Sequence, residues 1–94
     1  MSEERINRIV ELVKNEFWKA TEKFGVFNNA HEGYAVLLEE VDELWENVKL
    51  NQRNPKRIRA IFNEAIQVSA MAMRIIFDCC FEVSLIKELE ELRL

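Results

Sequence analysis

Chain breakers are scarce here: Gly25, Gly33 and Pro55 are the only glycines and proline in 94 residues. Together with the absence of strand-type alternation, that shortage excludes a fold built on many tight turns, and helix formers dominate instead. Cysteine is limited to the adjacent pair Cys79 and Cys80. Neighbouring cysteines rarely bridge, and two of them cannot make a disulfide framework. With no second pair and no histidine nearby, they read as small core residues of a reduced, cytoplasmic protein. His31 is the only histidine, which excludes a ferritin-like di-iron bundle with its two Glu-x-x-His motifs. Its place in a first helical turn reads as a cap or a surface position. No charge-free apolar run of eighteen residues and no signal segment is visible, so the expectation is a soluble, cytoplasmic protein without a membrane partner. A net charge of −4 argues against a dedicated nucleic-acid binder.

What is present is apolar and helical. Residues 1–94 are the size of one domain, and such a chain buries only roughly 60–65% of its unfolded surface. Yet 49% of the residues are hydrophobic. That excess predicts a helical homo-oligomer with apolar faces shared between chains. A first helix is expected over about 3–23, capped by Ser2, with Ile6, Ile9, Val10, Val13, Phe17 and Ala20 on one stripe. A turn at Gly25 follows. Asn29 and Glu32 have capping-box spacing and open a second helix over about 30–50. Asn54 and Pro55 suit the N-cap and first position of a third helix running to about 81. Ser84 suits the cap of a fourth, over about 85–93.

The acids of the second helix carry the chemistry. At 100° per residue, Tyr34, Leu37, Leu38, Val41, Leu44, Trp45 and Val48 share one arc, which predicts the buried face. Glu40 lies at its edge beside Leu44, with Glu43 close by. On the third helix, Glu64, Gln67, Arg74 and Asp78 form a polar strip along a mainly apolar surface. The Glu40/Glu43 and Glu64/Gln67 pairs can therefore meet across a helix contact. Uncompensated buried ions cost several kcal/mol each. Protonation, an arginine or a divalent cation must relieve that cost. Arg74 can pair with Asp78 at i+4, leaving a hard cation such as Mg²⁺ or Mn²⁺ for the carboxylates. The alternative is an ordinary solvated acidic face.

Glu39-Glu40-x-x-Glu43 followed by Glu64-x-x-Gln67 resembles the EExxE…ExxD signature of the MazG-like, all-α nucleoside triphosphate pyrophosphohydrolases. The segments from His31 to Trp45 and from Glu64 to Ala72 are similar to a short, single-domain branch of that family. The resemblance covers roughly residues 30–80. It implies a four-helix-bundle-type domain assembling as a dimer or tetramer, and Mg²⁺-dependent cleavage of a nucleoside triphosphate to monophosphate and pyrophosphate. It implies Glu40, Glu43 and Glu64 as metal ligands, with Gln67 standing where the family usually has Asp. Glutamine supplies a neutral oxygen but no charge. Under this reading Glu39 orients or deprotonates the attacking water. Arg74, Lys56, Arg57 and Arg59 are candidates for the phosphates. Trp45, Tyr34 and Asn28 are candidates for the base, alongside Trp18, Phe27 and Asn29.

Two other readings stand beside it. A non-catalytic helical dimerisation or adaptor module explains the apolar excess and the acidic face without chemistry. The run Lys49–Arg59, which carries five basic residues and no acid, is either a solvated loop or a polyanion contact.

Overall fold

The computed structural model describes residues 2–80, 87–88 and 90–92. Among these there are helices and no strand: α1 (Ser2–Phe24), α2 (Ala30–Val48) and α3 (Arg57–Ile75), the last continuing into a π-helical turn, Ile76–Cys80. The expected break at 80–84 and the start of a fourth helix fall largely outside the described residues, although 87–88 and 90–92 are helical.

Each boundary has a local cause. α1 stops because Gly25 takes φ +77°, the left-handed conformation open to glycine, while its N–H bonds the Thr21 carbonyl at 2.8 Å. Asn29 caps α2 through its side chain, which accepts from the Glu32 N–H at 2.9 Å. The return half of the expected capping box is displaced by one residue. Glu32 accepts from the backbone and side chain of Asn28, at 3.2 and 2.9 Å, instead of from Asn29. α3 begins at Arg57, two residues later than the sequence suggested. Asn54 caps a turn instead, its side chain accepting from the Lys56 N–H at 2.9 Å and its carbonyl from Arg57.

α3 is the shared floor. It packs against α2 along its length and against α1, while α1 and α2 make little contact with each other. The core is small: Val13, Phe17 and Ala20 of α1, Phe27 of the connecting loop, and Ala70 and Met71 of α3. Val36, Leu37, Ile66, Met73, Ile75 and Cys79 pack around it. By length and composition the run Arg57–Cys80 matches a membrane-crossing segment. It packs against α1 and α2, yet only 17% of its most apolar window is buried, and Ile58, Phe62, Ile76 and Phe77 are exposed.

The expected buried faces are only partly buried. On α2 the inward residues are Gly33, Val36, Leu37, Glu40, Leu44, Asn47 and Val48, whereas Tyr34, Leu38, Val41 and Trp45 are exposed. The core direction is thus rotated from the predicted arc toward Glu40. Gly33 sets how closely the elements approach, because a Cβ there would lie 2.8 Å from Ile75 Cγ1 and 3.1 Å from the Phe27 ring. On α1, Ile6, Ile9 and Val10 are exposed, because the core begins only at Val13.

Candidate metal centre and cleft

Because α1 and α2 stand apart on α3, a cleft of about 580 Å³ opens between them. Glu16, Lys19, Ala20 and Lys23 line one wall; Glu32, Val36, Glu39 and Glu40 line the other. The floor is Gln67, Met71 and Arg74, and the loop Phe24–Phe27 closes one end.

Three carboxylates converge beside this cleft. One oxygen from each of Glu40, Glu43 and Glu64 lies within 4.8 Å of the others. Glu40 and Glu64 are half-buried and Glu43 is exposed. α2 contributes two acids one turn apart, and its packing on α3 brings Glu64 opposite them. Oε2 of Glu64 is buried, and with all three carboxyls ionised it has no donor to accept from; only a proton on the trio lets Glu64 bond Glu40 and Glu43. Burial pushes the Glu64 carboxyl from its ordinary 4.5 to about 8, reinforced by hydrogen bonding to Glu40 and Glu43 and by their charge. In the absence of a cation the trio therefore holds a proton at neutral pH. A hard divalent ion can replace that proton, since every donor is a carboxylate oxygen and one is an orphaned buried acceptor.

Gln67, one turn beyond Glu64, donates through Nε2 to Glu16 Oε1 at 2.6 Å. Arg74 is 2% exposed and does not pair with Asp78. It donates to the Gly25 carbonyl at 2.6 Å and to Met71 Sδ at 3.4 Å, and lies 4.1 Å from the centroid of the Phe27 ring. Its Nε is buried without a partner. Asp78 instead accepts the Phe27 N–H at 2.9 Å. Arg74 and Asp78, at i and i+4, thus clamp the loop that closes the cleft.

The candidates named from sequence divide by position. Glu39, Glu40, Gln67, Arg74 and Phe27 line the cleft, and Glu43 and Glu64 adjoin it through Glu40. Tyr34, Trp45, Trp18 and Asn28 do not line it. Tyr34 and Trp45 are exposed on a different side of α2, and Lys49 sits over the Trp45 ring. Asn28 is engaged with Glu32. Lys56, Arg57 and Arg59 lie at the other end of α3. Arg57 donates through Nε and Nη2 to the Val48 carbonyl at 3.2 and 3.1 Å, satisfying the C-terminus of α2. The cations that do line the cleft, besides Arg74, are Lys19 and Lys23, which sequence reasoning passed over along with Glu16. Their signal was available. Positions 16, 19 and 23 share one edge of α1, flanking the buried Ala20.

No protein-family profile, curated protein or solved structure matches the chain.

Proposed function

We propose that this chain is a Mg²⁺-dependent nucleotide pyrophosphohydrolase of the MazG-like kind, cleaving a nucleoside triphosphate to monophosphate and pyrophosphate. The observation that carries the reading is the convergence of Glu40, Glu43 and Glu64 around a buried, unpartnered carboxylate oxygen. A cleft of about 580 Å³ alongside it supports a small-molecule substrate, within the range of roughly 300–1,000 Å³ usual for ligand pockets.

Glu40, Glu43 and Glu64 would hold Mg²⁺, or Mn²⁺ in its place. When bound, such an ion supplies positive charge for phosphate oxygens and makes water a better nucleophile. The remaining steps belong to the chain. Glu39, exposed on the cleft wall beside Glu40, orients the attacking water and takes its proton. Lys19 and Lys23 on the facing wall offset phosphate charge. Val26, Phe27, Val36 and Met71 provide the apolar surface against which a nucleoside rests. Arg74 keeps the closing loop in place through Gly25 and Phe27.

The same reading makes the chain one protomer of a helical homo-oligomer, a dimer or tetramer of four-helix-bundle type. The exposed stripe Tyr34, Leu38, Val41 and Trp45 supports a second copy lying along α2. That stripe also favours the second reading, a dimerisation module without chemistry. A panel of nucleoside triphosphates incubated with Mg²⁺ separates the two. Release of pyrophosphate rather than orthophosphate, abolished by Glu40→Gln or Glu43→Gln, is the expected result. No release from any nucleotide, together with a melting temperature indifferent to Mg²⁺ and Mn²⁺, would leave the module.

A further inference from the structure

The loop that closes the cleft is held by two charges, and both are left incomplete. Among the described residues, four buried side-chain polar atoms have no hydrogen-bond partner: Thr21 Oγ1, Glu64 Oε2, Arg74 Nε and Asp78 Oδ1. Three of them belong to residues that hold the stretch Gly25–Phe27. The Thr21 carbonyl accepts the Gly25 N–H at 2.8 Å. Arg74 donates to the Gly25 carbonyl at 2.6 Å, and Asp78 accepts the Phe27 N–H at 2.9 Å. Arg74 is buried and Asp78 half-buried, and among the described residues neither is part of an ion pair. Buried polar atoms without partners cost stability, the more so on charged groups. Arg74 and Asp78 stand at i and i+4, the spacing at which opposite charges on one helix face reach each other. The loop's own grip is thin: Phe24 and Val26 are 70% and 63% exposed, and of the loop only Phe27 enters the core.

We propose that Arg74 and Asp78 form a two-position latch that makes Gly25–Phe27 a gate at the end of the cleft. In the closed position each charge holds one backbone group of the loop. When the loop swings out, the freed guanidinium and carboxylate turn to each other, and the orphaned Nε and Oδ1 gain a partner. Opening then exchanges two charge-to-backbone bonds for one ion pair. Without that exchange it would strand two opposite charges in a partly buried place. Gly25 is the pivot, because a glycine at φ +77° can leave the left-handed region and return to it at no steric cost. Phe24, Gly25, Val26 and Phe27 all line the cleft, so the same swing widens its mouth. The latch works whatever the cleft binds and needs neither a metal nor a nucleotide.

The test is a double-variant cycle read by native-state hydrogen exchange on the full chain, with no ligand added. The reporter is the Gly25 amide, whose acceptor, the Thr21 carbonyl, is unchanged in every variant. Arg74→Met and Asp78→Ala each remove one bond of the closed loop and, with it, the ion pair of the open one. Each single variant therefore accelerates exchange only modestly. The double variant loses both loop bonds but no further ion pair. Its acceleration is expected to exceed the product of the two single accelerations by about fivefold or more. Two independent anchors would give the product itself, and anchors that fail together would give less. Either of those results overturns the latch while leaving Arg74 and Asp78 as static supports. The amides of Ala70 and Met71, in the core, report global unfolding. Where a variant lets them exchange as fast as Gly25, the cycle is run with Arg74→Gln and Asp78→Asn, which keep polar groups and remove the charges, and the same comparison decides.

Discussion

Replacing Glu64 with glutamine tests the candidate metal centre through stability alone. The unfolded chain gives up the Glu64 proton near pH 4.5, and the folded chain keeps it to about pH 8. Between those values the folded state binds more protons than the unfolded one, so each rise in pH favours unfolding. The contribution is complete below about pH 4.5 and is lost as pH climbs through 8. One whole proton corresponds to about 1.4 kcal/mol per pH unit. Glu43 is open to water, and screening there narrows the pH window over which this slope applies without changing the slope itself. For a chain of this size a slope of about 1.4 kcal/mol is roughly 6–11 °C of melting temperature per pH unit inside that window. The assay is a series of thermal melts from pH 5 to 8 in chelator, comparing the unaltered chain with Glu64→Gln. The unaltered chain should lose stability relative to the variant as pH rises, because the variant has no proton to lose at this position. Adding Mg²⁺ or Mn²⁺ should flatten the curve of the unaltered chain at its alkaline end, where the cation takes the place of the proton. Parallel curves in chelator would refute the crowding of the three carboxylates, and with it the reason for a cation.

Other expectations concern the frame around the site. Gly33→Ala sets a methyl against Ile75 and Phe27. Overpacking of about 1–3 kcal/mol outweighs the roughly 0.8–1 kcal/mol gained in helix propensity, and thermal denaturation should show a lower midpoint. Arg74→Met removes a charged donor from the Gly25 carbonyl, a loss of about 1.5–3 kcal/mol. Hydrogen exchange at Phe27 should accelerate as the loop loosens. Asn29→Ala deletes the α2 cap and should cost about 1 kcal/mol in chemical denaturation. Tyr34→Glu/Trp45→Glu places charge on the exposed α2 stripe, and light scattering should then report the mass of a single chain.

The parts legible in the sequence were those governed by local periodicity and capping. The Gly25 turn, the Asn29 cap and the meeting of Glu40 and Glu43 with Glu64 all depend on spacing within a helix or on one helix contact. The parts that were not legible depend on how helices rotate against one another. The apolar arc of α2 spans about 120°, wider than one neighbour can cover, and the sequence does not say which half faces α3. Tyr34 and Trp45 fell on the uncovered half. Arg74 and Asp78 sit at i and i+4 and so look like an ion pair, yet each finds a backbone partner in the Gly25–Phe27 loop. Nothing local to α3 announces a loop fifty residues away. Glu16, Lys19 and Lys23 were passed over for the same reason. On α1 alone they read as solvent-facing, and only the gap between α1 and α2 turns them into the wall of a cleft.

That gap bears on the choice between an enzyme and a module that only associates. A dimerisation domain gains from every apolar contact and has no use for carboxylates crowded at a helix contact. Replacing such groups with apolar residues of similar volume is often neutral or stabilising by about 1–4 kcal/mol. The chain nevertheless sets Glu64 opposite Glu40 and Glu43 and leaves α1 and α2 apart over a floor of Gln67, Met71 and Arg74. These features lower stability where filling the space with leucine and methionine would raise it, which is the pattern of a site kept for binding. Glu64→Met should therefore raise the melting temperature at pH 8 in chelator and abolish any response to Mn²⁺. If the variant is instead less stable at that pH, Glu64 is holding the fold together, and the case for a cation at its buried oxygen falls.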